Sequence, residues 1–157
     1  MLARWLAEPR VRRFYQKTPV VLEEIAREYG PAVRGEEPTL CHLALQAGTP
    51  FAYLQCYRNV DYPDWAAIIG AGEGVSIDLY IGDPQFLHRG LGRAALGGYL
   101  RRVAFARHPG EQRAYIGHEP ANTAALRCSG AAGFRRARRF MENGIEMVLL
   151  VAERRSA

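Results

Sequence analysis

The stretch HRGLGRAALG, His88–Gly97, places three glycines and two arginines in ten positions, directly ahead of an apolar-periodic run through Leu96, Leu100 and Val103. These residue types suit the binding of an anion. Glycines let the backbone approach a ligand, main-chain N–H groups at a helix start point outward, and the helix dipole favours negative charge. Arg89 and Arg93 add charge-assisted donors suited to phosphate. Three phosphate-binding patterns compete for the stretch. A Walker-type loop needs a Lys-Ser/Thr ending that is absent. A dinucleotide-type loop follows an early βαβ unit, whereas an antiparallel hairpin is expected ahead of this one. The third pattern, [QR]-x-x-G-x-[GA], is met by Arg89, Gly92 and Ala94.

A carboxylate precedes the loop. In VSIDLYIGDP, strand alternation puts Ser76, Asp78 and Tyr80 on one face. Aspartate is disfavoured in strands, so Asp78 is either a functional base or a side chain at a solvated face. It also lies in a run of one sign. From Asp61 to Asp83 there are five acids and no Lys or Arg, whereas from Pro84 onward thirteen arginines face five acids, a balance of +8.

The elements that must position these groups can be read in order. LARWLAEPRVRRFY reads as a short helix followed by a loop with exposed aromatics. Thr18-Pro19 is a cap and first-turn proline for a helix through VVLEEIAREYG, with Gly30 as its stop. TLCHLALQAG and PFAYLQCYRNV alternate about Ala47–Pro50, a hairpin. NVDYPDWAAIIGAGEG reads as an acidic, aromatic loop-like insertion. After the Asp78 strand a helix runs from the glycine loop to about Arg107, and QRAYIGHE forms a further strand. Asn122 caps the helix TAALRCSGAA, which Gly133 stops. Two strands close the chain around Asn143-Gly144, a strong hairpin signal. The expected class is α/β, with a mixed, mostly antiparallel central sheet flanked by helices.

Length and composition set bounds. The 157 residues, 48% hydrophobic and 24% charged, fit one domain spanning 1–157. No apolar run reaches the roughly 20 residues that span a bilayer, and the N-terminus lacks a secretory pattern, so a cytoplasmic protein is expected. Cys41, Cys56 and Cys128 form no CxxC pair, and His42, His88, His108 and His118 do not fall at ligand spacing with them. Free thiols and no metal are therefore expected. The net charge of +5 and the patch Arg135, Arg136, Arg138 and Arg139 are what a nucleic-acid binder would show. The polarised distribution instead suits an enzyme that grips an anionic cofactor and a cationic substrate.

The loop pattern resembles the pyrophosphate loop of GCN5-related N-acetyltransferases, the GNAT superfamily, which bind acetyl-CoA. The second half of that family's signature follows in EPANTAALRCSGAAGF, where Pro120, Asn122, Ala125, Gly133 and Phe134 stand at the expected spacing. Within the superfamily, GVSIDLYIGDPQFLHRGLG is similar to the strand and loop of aminoglycoside 6'-N-acetyltransferases, and siderophore-type lysine N-acyltransferases share much of it. The chain departs from the family twice. The usual first strand is missing before the first helix, which would uncover a sheet edge. Ser129 stands where a tyrosine is normally taken as proton donor to the leaving thiolate.

The resemblance implies direct acetyl transfer from acetyl-CoA to a primary amine in a ternary complex. An ammonium has no lone pair, so Asp78 would take a proton as general base. Leu79, Tyr80 and Ile81 would offer backbone N–H to the developing oxyanion. Arg89, Gly90, Leu91, Gly92, Arg93 and Ala94, with Asn122, would hold the cofactor; Arg127 is either a phosphate ligand or a solvated side chain. Ser129, a far weaker acid than tyrosine, would serve as a slow proton donor, or be a packing residue, with a water or Tyr115 in its place. For a polycationic acceptor such as an aminoglycoside, Asp61, Asp64, Trp65, Tyr15, Phe14 and Tyr62 would line the pocket with Asp78, and Glu119 and Glu142 would close its far side. A monomer or a homodimer is compatible with this. The other readings are a lysine-type acyltransferase and a catalytically weak acyl-CoA sensor.

Overall fold

Two tight turns set the registers at both ends of the sheet. Ala47 and Gly48 (φ 49° and 81°) join β1 (Leu40–Gln46) to β2 (Thr49–Arg58) with Gln46 opposite Thr49. Asn143 and Gly144 (φ 50° and 77°) join β5 (Arg135–Glu142) to β6 (Ile145–Glu153) with Glu142 opposite Ile145. Both residues of such a turn need positive φ, which Asn-Gly adopts readily. With β3 (Val75–Ile81) and β4 (Arg113–His118) the six strands run in the order β1-β2-β3-β4-β6-β5. Only β3 and β4 are parallel. The computed structural model describes residues 1–15 and 21–156, so the Thr18-Pro19 helix start lies outside the described residues.

One face of the sheet carries the main core. Its strand residues, among them Leu54, Cys56, Val75, Ile77 and Leu150, pack on a helix beginning with α5 (Leu91–Tyr99). That helix widens into a π-type segment over Leu100–Ala104 and ends as α6 (Phe105–Arg107), as the sequence predicts. Beside it lies α7 (Thr123–Ala131), stopped by Gly133 at φ 107°.

The other face carries helices that sequence periodicity renders poorly. The N-terminal stretch is two helices, α1 (Leu2–Ala7) and α2 (Pro9–Phe14), rather than a helix and a loop. Pro9 ends one and starts the next. Its aromatics are not exposed: Trp5 is 1% accessible. The Trp5 ring lies so close to Gly82 that a Cβ there would sit 1.8 Å from it. The next helix, α3 (Leu22–Val33), passes through Gly30 and Pro31 instead of stopping. Gly30 has no positive φ, and the Arg34 guanidinium folds back over it. The acidic stretch is likewise a helix, α4 (Pro63–Ile69), started by Pro63 and ended by Gly70 at φ 65°.

No strand precedes α1 among the described residues, so β1 is a sheet edge, with Leu43 and Leu45 exposed on it. No helix of the described residues is long and apolar enough to cross a membrane. The three cysteines are free.

Candidate active site

The sheet opens at its parallel junction. β3 and β4 pair only at Val75–Ala114 and Ser76–Tyr115. Beyond these, β3 keeps its partner β2 as far as Ile81, and β4 keeps β6 as far as His118. The β4-facing main chain of residues 77–81 thus borders a gap instead of a neighbouring strand. Leu79 and Ile81 turn their side chains to the main core, whereas Tyr80 packs on the opposite face with Trp5 and Tyr53.

The glycine loop stands at the end of this gap. Gly90 caps α5 with φ 72°, and the first bond of the helix runs from Ala94 N–H to the Gly90 carbonyl at 3.2 Å. The N–H groups of Leu91, Gly92 and Arg93 consequently have no acceptor within the helix. A Cβ on Gly92 would meet Ile81 Cδ1 at 3.1 Å and Cys128 Sγ at 3.2 Å, so α5 begins hard against β3 and α7. Around Gly90 there is open space. Arg89 and Arg93 are exposed, Arg89 standing 5.4 Å over the Phe86 ring. Free donors, two cations and an open approach fit the diphosphate of a cofactor. Asn122 caps α7 through Ala125 N–H at 3.3 Å, in the place expected of it, and Arg127 is exposed.

A cavity of about 450 Å³ lies on the face that Asp78 shares with Ser76. It touches the parting strands at Ile77, Ile116 and Gly117. Four carboxylates line it (Glu28, Glu37, Asp78 and Glu142), together with aromatics that include Phe14, Tyr15, Tyr57, Tyr62 and Trp65. No Lys, Arg or His is among its described lining residues. Sequence reading found Phe14, Tyr15, Tyr62, Trp65, Asp78 and Glu142. Glu28, Glu37, Tyr29, Gln55 and Tyr57 escaped it, because only the packing of α3, the connection that follows it and β2 brings them here.

Three expected acceptor ligands do not line the cavity. Asp61 is held by Arg58 through two bonds of 3.0 Å, and Asp64 is exposed on the first turn of α4. Glu119 follows β4, its carbonyl accepting from Asn122 N–H at 3.0 Å. Once DYPDW folds as a helix start, consecutive side chains point about 100° apart, so Trp65 turns inward and Asp64 outward. Trp65 is fixed there by Nε1, which donates to Ser76 Oγ at 2.9 Å, and Ser76 in turn donates to Asn59 Oδ1 at 2.6 Å.

Asp78 is the most constrained of the carboxylates. Gln55 Nε2 donates to its Oδ2 at 2.8 Å, and the Tyr53 hydroxyl donates to Gln55 Oε1 at 2.7 Å. Burial raises the Asp78 pKa above the usual carboxylate range, while hydrogen bonds from Gln55 and Tyr57 pull it back. Glu142 is raised too, by burial first and then by the negative charge of Asp78. A carboxylate so placed can accept a proton from a cation in the cavity. Ser129 is 1% accessible and lines neither this cavity nor the groove beside α5. Its hydroxyl shares a 2.8 Å hydrogen bond with His118 Nε2, and burial brings that histidine down to about 4.

A family model described as an acetyltransferase (GNAT) domain matches residues 1–141. Among solved structures, AAC(6')-Ib in complex with paromomycin and acetyl-CoA is 24% identical, with a TM-score of 0.80, covering 98% of this chain and 86% of that one. The same enzyme with coenzyme A and kanamycin is 24% identical, with a TM-score of 0.79, over 98% and 88% of the two chains. The aminoglycoside N-acetyltransferase AAC(6')-Ib11 is 25% identical, with a TM-score of 0.72, over 98% and 90%. No curated protein matches the chain.

Proposed function

The chain belongs to the GNAT acetyltransferases, and on that premise we propose that it acetylates a primary amine of a small polycation, the 6'-amine of an aminoglycoside, by direct attack in a ternary complex. The observation that carries this reading is the cavity with four carboxylates, a wall of aromatics and no described cation. Such a wall attracts several ammonium groups at once and offers flat surfaces to sugar rings. The solved acetyltransferases reported above support it, since their bound molecules include kanamycin and acetyl-CoA.

Acetyl-CoA, the family's donor, supplies an acetyl group activated as a thioester. The N–H groups of Leu91, Gly92 and Arg93, with Arg89 and Arg93, hold its diphosphate. The open main chain of Leu79–Ile81 lies where N–H groups stabilise negative charge on a carbonyl oxygen. Asp78, reached from the cavity, takes the proton that the acceptor ammonium must lose before it can attack. Its raised pKa narrows the gap to the amine and makes it a better base. Glu142, Glu28 and Glu37 hold the remaining ammonium groups, while Tyr15 and Trp65 flank the ring.

The test is product analysis after incubation with acetyl-CoA and kanamycin. One acetyl group at the 6' nitrogen is expected. Acetylation of lysine derivatives with none of kanamycin would replace this reading with a lysine-type acyltransferase. Coenzyme A binding without transfer to any amine would leave an acyl-CoA sensor.

A further inference from the structure

The open end of β3 is met from the helix layer by a half-buried cation. Arg10, on α2, donates from Nη1 to the Ile81 carbonyl at 2.9 Å. The register shows which way that carbonyl points. Gly82 N–H donates to the Phe51 carbonyl of β2 at 2.8 Å, and Ile81 stands opposite Ala52. Successive strand residues turn their main-chain groups to opposite sides. The N–H and C=O of Ile81, and those of Leu79 two residues back, therefore face the gap that β4 has left.

That wall of the gap is mixed in sign. Its N–H groups favour negative charge developing beside them, whereas each carbonyl opposes it. At Ile81 the opposing carbonyl is taken up by Arg10. The guanidinium also brings a full charge to a half-buried place, where solvent screens it less than at the surface. Burial lowers the Arg10 pKa, and the negative charges of Glu8 and Asp83 offset part of that fall. The planar fork keeps Nη2 beside Nη1, and Nη2 is buried with no hydrogen-bond partner among the described residues. A buried cationic donor left so is costly. Other residues make the apolar contacts that seat these helices: Trp5 lies on Gly82, Val11 is in the core with Tyr80, and Tyr15 stands 4.5 Å from the Tyr80 ring.

We propose that Arg10 is a positioning residue for acetyl transfer. By capping the Ile81 carbonyl and setting a positive charge beside it, Arg10 makes the open main chain of β3 favour negative charge on the thioester oxygen. The inference rests on the acetyl-transfer reading of the site. In the step it serves, the amine nitrogen bonds to the thioester carbon and the carbonyl π pair moves to oxygen. That pair returns as the C–S bond breaks and sulfur leaves with its electrons; the proton shed by nitrogen balances the one the thiolate takes up. Arg10 exchanges no proton here. The charge it favours exists only between attack and departure, so its contribution falls on kcat rather than on binding.

Steady-state kinetics with acetyl-CoA test it, with kanamycin and a lysine derivative as acceptors, on wild type, Arg10→Met and Arg10→Lys. Calorimetric binding of coenzyme A and thermal melting accompany them. Arg10→Met is expected to lower kcat by about tenfold or more, short of the roughly 10²–10³-fold of a direct oxyanion donor. The acceptor KM and the Kd for coenzyme A are expected to stay within about twofold of wild type, well under the change of one lost contact. Arg10→Lys keeps the charge and a donor, and is expected to recover most of the loss. Arg10→Gln, polar but uncharged, replaces Arg10→Met with the same expectation should that variant fail to fold. A loss that Arg10→Lys does not recover, or one that appears as a raised acceptor KM, would show that Arg10 only seats α2 and would overturn the inference. An unchanged kcat would overturn it too and leave the acetyl-transfer reading intact. A wild-type protein that releases thiol with neither acceptor would remove that reading, and this inference with it.

Discussion

At the residue scale, the chemistry turns on how Asp78 is held. Its folded pKa lies above the unfolded value, so the native state retains a proton that the unfolded chain releases. By linkage, this lowers stability as pH rises from the unfolded value through the folded one. Asp78→Asn is therefore expected to raise the melting temperature at pH 7.5 while lowering kcat by about 10²–10⁴-fold, the usual worth of a general base. A melting temperature that falls would show that the carboxylate is not strained by burial. Gln55→Leu removes a donor from the ionised carboxylate. The acid limb of kcat against pH is then expected to move to higher pH, with activity recovering in alkali; an unmoved limb would detach Gln55 from the base. Ser129 behaves differently. Its buried hydroxyl serves His118, so Ser129→Ala is expected to cost about 1–3 kcal/mol of stability by leaving a buried nitrogen unpaired. Denaturant unfolding measures that, and kcat within roughly tenfold of wild type would assign the residue to packing rather than proton donation.

Elements decide which side chains reach the site, and here sequence and structure part company most. The six strands and both tight turns were legible because period-2 alternation and Asn-Gly are strong local signals. The helix α4 was not, since seven residues carry too little periodicity to separate from a loop. That error misassigned Asp64 while Trp65 survived it, and Asp61, one turn earlier, is taken up by Arg58. Glu28 and Glu37 were illegible for another reason: nothing local marks which face of α3 will meet the sheet, or where the connection after α3 will lie. What holds α4 in place is distant in sequence. Arg138, on β5, donates to the Ile69 carbonyl from Nε at 3.0 Å and Nη2 at 2.6 Å, and to the Gly70 carbonyl at 2.7 Å. Arg138→Ala is expected to loosen α4 and with it Trp65, raising the KM for acceptor about tenfold, in keeping with the loss of one aromatic contact. Coenzyme A binding is expected to stay unchanged. Equal losses for both substrates would show that Arg138 supports the fold at large.

Over the whole molecule, charge is sorted by location. The cavity lined by Glu28, Glu37, Asp78 and Glu142 and the groove lined by Arg93, Arg101, Arg135 and Arg155 lie apart, and the parting of β3 from β4 touches the first and ends at the glycine loop that opens the second. The acid-then-base polarity of the sequence foreshadowed this only at Asp78, since the other three cavity carboxylates come from outside the acidic run. The most direct measurement is acceptor-dependent release of free thiol from acetyl-CoA, comparing kanamycin with a neutral-chain monoamine, in wild type and Asp78→Asn. Release with kanamycin, weak release with the monoamine, and loss of about 10²-fold or more in the variant are expected. Equal release with both amines, or an Asp78→Asn enzyme as fast as wild type, would contradict an acidic cavity feeding its amine to Asp78.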